Sequence, residues 1–326
     1  MGEKTHFVLA IVLFCSAVPS SRGSAQTEIK VALTDLSASA MPFLIAEKKG
    51  FYENERLKVE TIVMQGGIHA QALLGESVHF TTAPNVLDVV VSGKVPSKIV
   101  YAMAKFLLHR FIVGPKINDF SELRGKRFAI SSFGGLSDRM AREIFEEHGL
   151  IPMKDVIFLA IGTPSVRYAA LKADSVQGAL LSSAYALRGL KEGLKDLPYR
   201  PIPNVSYPIT LLNKTLDKQR EMVLRFLRGT VKGHIFFGKR RDEAIGLMIK
   251  YLRIPDPKLA AEYYDDEMRR YNPGGMMDEN EMKRVIERAR ATEKVKNTVK
   301  ITDVFELRLA SKIYSELKNE GWEPYE

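Results

Sequence analysis

The chain has 326 residues, with 48 Lys and Arg against 39 Asp and Glu, a formal net charge of +9, 45% hydrophobic residues and a single cysteine. That length exceeds the usual single core and suits two units, each burying its own. One cysteine excludes disulfides and Cys-based metal sites, and the basic residues are interspersed with acidic ones rather than clustered as nucleic acid would require.

Lys4 precedes an apolar run from Phe7 to Val18, which Pro19, Ser20, Ser21, Arg22 and the small residues Gly23, Ser24 and Ala25 follow. This pattern predicts a secretory signal peptide over 1–25, cut after Ala25. The run is shorter than the roughly 20 residues a spanning helix needs. Cys15 lies inside it behind Phe14, whereas a lipid-modified cysteine would follow small residues at its end. The expected mature protein is therefore thiol-free and periplasmic or extracellular, where a nucleic-acid partner is not expected.

Ile29 to Leu33 reads as a strand, and Asp35 to Ser39 as a turn and helix cap. Pro42 suits a first helical turn, Met41, Leu44 and Ile45 recur at helical spacing, and Gly50 stops the helix. Leu57 to Met64 predicts a second strand and Gln65-Gly66-Gly67 a turn, with a short helix to Leu74. Val78 to Thr82 and Ile99 to Met103 predict further strands around a helix from Asn85 to Val91. Leu107 to Pro115 is then expected to cross to a second lobe.

That lobe enters through Asp119 to Ser131, a short capped turn delivering a strand. Ser132 to Ser137 makes a turn, and the next helix buries Met140, Ala141, Ile144 and Phe145 before Gly149. Val156 to Gly162 and Val176 to Leu181 are strands. Pro198, Pro201, Pro203 and Pro208 mark the return crossing into the apolar run Ile209 to Leu212. Amphipathic helices follow at Glu221 to Phe237, Arg241 to Leu252, Lys258 to Arg269, Glu279 to Thr292 and Val304 to Lys318. The predicted organisation is 26–110 for the first part of lobe one and 111–203 for lobe two. Residues 204–326 supply the return crossing, the completion of lobe one and the C-terminal helices.

The two lobes echo each other: Ala72-Leu-Leu-Gly-Glu-Ser-Val78 is matched by Ala170-Leu-Lys-Ala-Asp-Ser-Val176. Ile29 to Leu33 is likewise answered by Phe128 to Ser132, and Leu57 to Met64 by Val156 to Gly162. Repeated strand–helix–strand units predict a parallel sheet in each lobe, with ligands bound beyond the carboxyl ends of its strands.

Four connections end strands on that side: Thr34 to Ser39, Thr82 to Asn85, Ser131 to Ser137 and Ser182 to Tyr185. Their hydroxyls, amide and backbone donors describe a small-solute site. Ser37, Ser39, Asn85, Ser132, Gly134, Ser137 and Ser183 are the expected hydrogen-bonding residues, with Phe133 and Tyr185 as stacking faces. The Ser131–Ser137 turn opens a helix, where free N–H groups favour an anion, but it lacks the spacing of a dinucleotide loop or a P-loop. Arg110, at the crossing, is the candidate counter-charge for a carboxylate, sulfonate or phosphate. Each of these residues reads equally well as a cap of its own helix or, for Arg110, as an exposed hinge residue. The histidines show no metal-ligand spacing, and Asp265-Asp266-Glu267 suits a helix with internal pairs, so neither a metal nor a catalytic constellation is expected.

The signal peptide, Ile-Lys-Val-Ala-Leu from Ile29, Ile-Ala-Glu-Lys-Lys-Gly-Phe-Tyr from Ile45, Gln-Ala-Leu-Leu-Gly-Glu-Ser-Val-His-Phe from Gln71 and Glu-Leu-Arg-Gly-Lys-Arg-Phe-Ala-Ile-Ser from Glu122 together resemble the periplasmic solute-binding proteins of nitrate/sulfonate/taurine-type ABC transporters. The resemblance implies an α/β fold of the type II periplasmic binding class, with two lobes joined by two hinge crossings and a helical C-terminal region. It also implies a monomer, without cofactor, that closes over a small polar or anionic organic solute and docks on a membrane permease. Two alternatives share the fold. One is a secreted sensor or interaction protein. The other is an enzyme similar to the thiamine-pyrimidine synthases, which carry a Cys-rich motif and a sacrificial His after the third strand, where this chain has Thr82-Ala83-Pro84-Asn85.

Overall fold

The computed structural model describes residues 26–64, 68–106 and 109–324. The expected signal peptide therefore lies outside the described residues. The chain begins with β1 (Thr27–Leu33), a 3-10 turn (Ala38–Ala40), α1 (Met41–Lys48), α2 (Phe51–Asn54), β2 (Leu57–Val63), α3 (Ile68–Leu74), β3 (Phe80–Thr81), α4 (Val86–Val91) and β4 (Ser97–Phe106). It then changes sheets and forms β5 (His109–Val113), β6 (Arg127–Ile130), α5 (Leu136–Glu147), β7 (Ile157–Ala160), α6 (Pro164–Lys172), β8 (Gly178–Ser182), α7 (Ser183–Lys191) and β9 (Lys195–Asp196). It returns as β10 (Pro203–Leu212) and continues through α8 (Asn213–Lys218), α9 (Arg220–Lys239), α10 (Arg241–Leu252), α11 (Pro257–Met268), α12 (Glu279–Glu293), α13 (Ile301–Val304) and α14 (Arg308–Asn319).

The sheets have orders β2-β1-β3-β10-β4 and β7-β6-β8-β5-β9, and the repeat seen in the sequence superposes one on the other. Both depart from the all-parallel expectation. β10 runs antiparallel to β3 and β4, and β5 runs antiparallel to β8 and β9. The physical reason is connectivity: each antiparallel strand is the one the chain forms on arriving from the other lobe, so it enters its sheet from the cleft side.

The echoed phrase has a backbone cause. Ser77 N–H donates to Ala72 O and Glu76 N–H to Leu73 O, while Ser175 donates to Ala170 O and Asp174 to Leu171 O. These are paired Schellman ends, with Glu76 and Asp174 in the left-handed region at φ 55° and 54°. The following Val78 and Val176 are buried and start the run into the next strand.

Lobe one gathers the larger core, with Phe43, Phe51, Phe80 and Phe226 fully buried. α9 crosses α1 so closely that a Cβ on Gly233 would stand 2.1 Å from Pro42 O, and one on Gly229 would stand 2.5 Å from the Tyr52 ring. In lobe two, α5 buries Met140, Ala141, Ile144 and Phe145, as their helical spacing predicts. Two boundaries differ from expectation. The Pro-rich return enters the sheet at Pro203, and β10 accommodates its prolines through register shifts either side of Ser206 to Ile209, with Tyr207 at φ 51°. The single helix expected from Val304 is divided, because Phe305 is extended and bridges Ile99.

Candidate functional site

Between the lobes lie two adjoining cavities, an inner one of about 240 Å³ and an outer one of about 370 Å³, which share Thr34, Pro84 and Leu136. The inner chamber is bounded from lobe one by Asp35, Ser37, Ser39, Tyr207, Tyr263, Glu267 and Arg270, and from lobe two by His109, Ser182 and Ser183. Asn85, Gly134, Arg139 and Arg288 border the outer one.

The turn after β1 carries Asp35 and Ser37 because β1 ends at the cleft and the 3-10 turn must bend the chain into α1. Tyr207 reaches it from the irregular part of β10, donating to Asp35 O at 2.6 Å and Oδ1 at 2.7 Å. From α11, Tyr263 O–H accepts from Ala38 N–H at 3.3 Å. Burial pushes the Tyr207 and Tyr263 hydroxyls up, and nearby carboxylates add to this, so both stay protonated donors.

Arg270 forms the floor. Its Nε donates to Glu267 Oε1, Nη1 to Ser206 Oγ at 2.7 Å and Phe106 O at 3.5 Å, and Nη2 to Glu267 Oε2 at 2.8 Å and Ser39 Oγ at 2.5 Å. A guanidinium has five N–H groups, and all five are taken. Opposite, His109 Nδ1 is shielded from solvent without a partner. Burial, helped by Arg167 and Arg270, pushes its pKa down to about 4, so its ring is neutral at pH 7.

The residues singled out in the sequence divide into three groups. Ser37, Ser39 and Ser183 border the inner chamber, and Asn85 and Gly134 the outer one. Ser39 is spent on Arg270 and Glu267. Ser132, Phe133, Ser137 and Tyr185 border neither: Ser132 and Phe133 point to solvent, and Tyr185 packs on Tyr168.

Two expectations need correction. The Ser131–Ser137 turn is closed by its own side chains: Ser137 Oγ accepts from Ser131 N–H at 2.7 Å and donates to Ser131 Oγ at 2.8 Å, and Gly134 N–H donates to Asp138 Oδ2 at 2.8 Å. The helix thus carries its own anion at its start. Ser182 to Tyr185 is no loop, since α7 begins at Ser183 with Ser182 as its uncapped N-terminal flank.

Arg110 donates to Asp196 Oδ2 at 2.8 Å and Asp266 Oδ1 at 2.6 Å and borders neither cavity. The expected counter-charge is thus already neutralised by protein carboxylates. The residues missed are Asp35, His109, Tyr207, Tyr263, Glu267 and Arg270. Asp35 lies within the Thr34–Ser39 connection and His109 beside Arg110, while the α11 residues carry no local signal of which face meets the cleft. Among the described residues no group of three or more His, Cys, Asp or Glu could hold a metal ion, and no helix is long and apolar enough to cross a membrane.

A family described as NMT1/THI5 like matches residues 37–244. YtlA of Bacillus subtilis (strain 168), named as a binding protein, is 26% identical over 136 residues. The match spans 40% of this chain and only 41% of that relative. The periplasmic sulfonate-binding protein SsuA from Methylobacillus flagellatus KT superposes with a TM-score of 0.71 at 14% identity, covering 92% of this chain and 98% of that one. The desulfurization enzyme DszB superposes with a TM-score of 0.64 at 12% identity, covering 89% and 99%. At such identities the likeness is one of fold, the periplasmic binding protein fold.

Proposed function

The chain belongs to the NMT1/THI5 like family, and we propose that it is the extracytoplasmic solute-binding component of an ABC importer. A small polar solute enters between the lobes, hinge closure buries it, and the closed form presents both lobes to a membrane permease. The observation that carries this reading is the inner chamber, because polar groups from both lobes face one shared space. A ligand touching both lobes at once favours the closed state by its differential contacts. The leader read over 1–25 supports delivery outside the cytoplasm.

The fold also carries an enzyme, DszB, so fold alone does not separate binding from catalysis. The binding reading rests on the chamber's composition. The Nδ1 of its one imidazole, His109, makes no hydrogen bond to a nucleophilic side chain.

A thermal-shift screen of polar solutes against the leader-free protein tests the proposal. A ligand that binds only the folded state at a hundred times its Kd adds about 2.7 kcal/mol of stability. The transport reading expects a concentration-dependent rise that Ser183→Trp abolishes. Consumption of the solute, with a new product appearing, would replace it with the enzyme reading.

A further inference from the structure

Resting on the solute-binding reading, we infer that the inner chamber takes an uncharged or cationic solute and rejects simple oxyanions. It follows from the charged groups that border the two cavities. In the inner chamber the cationic side chain is Arg270, and its five donors are all engaged, two of them on the Glu267 carboxylate. That pair is neutral as a unit. In the outer cavity Arg139 stands 3.5 Å from Asp88, and Arg288 is bonded to Glu143 at 2.9 Å and to Pro203 O.

Asp35 is different. It borders the inner chamber and takes part in no ion pair among the described residues, its Oδ1 accepting only the Tyr207 hydroxyl. Asp35 is exposed, and no other hydrogen bond reaches its carboxylate among the described residues. Among the described residues the inner chamber therefore offers an oxyanion no unengaged guanidinium or ammonium, and it sets the Asp35 carboxylate against it. A desolvated oxyanion without a charged partner loses more hydration energy than neutral hydroxyls return. The turn of α5, which could have offered backbone N–H groups instead, is already filled by Asp138.

A cation or a neutral amide meets complementary groups. Asp35 accepts from an N–H, and the Tyr207 and Tyr263 hydroxyls border the same chamber. The start of α7 likewise has a protein carboxylate beside it, since Asp266 lies next to Ser183.

The test uses four probes of one shape and different charge, benzamidine, benzamide, benzoate and benzenesulfonate, together with nitrate. Each is titrated by calorimetry and thermal shift into the leader-free protein, into Asp35→Asn and into Ser183→Trp. The expected result is binding of benzamidine or benzamide, lost in Ser183→Trp, with no heat from benzoate, benzenesulfonate or nitrate. Asp35→Asn should weaken benzamidine by about three- to tenfold, the effect of removing one exposed charge partner at short range, while benzamide changes no more than about twofold. Binding of any of the three oxyanions that Ser183→Trp abolishes overturns the inference and leaves the solute-binding reading standing. Silence from all five probes counts against the chamber as a solute site and removes the inference with it.

Discussion

Arg110 Nη2 and Asp266 Oδ1 meet at 2.6 Å across the junction of the lobes, β5 of one held to α11 of the other. The Asp266 side chain is 2% exposed, and Arg110 is shared with Asp196. The same helix is tied to lobe two by Lys191, which reaches Asp256 at 3.4 Å and Glu262 at 3.3 Å. The hinge side of the cleft is thus fastened by charge, and the residue that looked like a ligand counter-ion is a structural one.

Asp266→Ala should cost about 1.5–3 kcal/mol, because it removes the shorter of two carboxylate contacts from a part-buried guanidinium that keeps Asp196. Urea denaturation gives the number directly. A loss under about 1 kcal/mol would mean that water replaces the carboxylate at no cost and that the pair does not hold the junction.

The cleft mouth is spanned by two weaker pairs, Arg139 with Asp88 and Arg288 with Glu143. Partly exposed pairs of this kind contribute about 0–1 kcal/mol each and are screened as the Debye length falls from about 10 Å at 0.1 M salt to about 3 Å at 1 M. The ligand-free protein is therefore expected to show a larger radius of gyration by X-ray scattering in 1 M salt than in 0.05 M. In Arg139→Ala/Arg288→Ala the low-salt value should already be the larger one. Identical radii in all four samples would dissociate these pairs from closure.

Two buried histidines set an acid limit. Burial, with Arg270 nearby, holds His234 down to about 3, and His109 lies at about 4. Both values fall below the roughly 6.5 of an unfolded chain, so the unfolded state binds more protons throughout the interval between. Stability from this source is complete above about pH 6.5 and is lost as pH falls from there toward 4. Denaturant midpoints at pH 7.5, 6.5, 5.5 and 5.0 should decline below 6.5, and His109→Asn should flatten the decline. A midpoint constant over that range would contradict the burial assigned to both rings.

Glu76 and Asp174 adopt left-handed backbone that costs a non-glycine residue roughly 1 kcal/mol. Glu76→Gly and Asp174→Gly should each raise stability by about 0.5–1 kcal/mol, an unusual direction for a Gly substitution, measured by thermal or urea unfolding. Destabilisation by both would show that the side chains, not the backbone angle, hold these helix ends.

The sequence by itself determined what local chemistry can determine. Alternating apolar runs, Gly stops and capping residues placed most strands and helices, α10 over Arg241–Leu252 among them. The repeated Ala-Leu-x-x-acid-Ser-Val phrase announced two lobes because each copy ends a helix in the same Schellman geometry just before a strand. Its resemblance to solute-binding proteins followed from that scaffold. The tertiary structure decided which side chains own the cleft. Asp35, Tyr207, Tyr263 and Arg270 come from the turn after β1, from β10, from α11 and from just past its end, segments far apart in the chain, and nothing within a helix's own sequence tells which packed face meets a cavity. Serines at strand ends suit a ligand or a cap equally well, so only the neighbours could show that Ser137 and Ser39 are already used. For a charge the reason is sharper: Arg110 and Arg270 are legible as cations from sequence, but whether a cation is free depends on carboxylates 86 to 156 residues away or one turn along a helix.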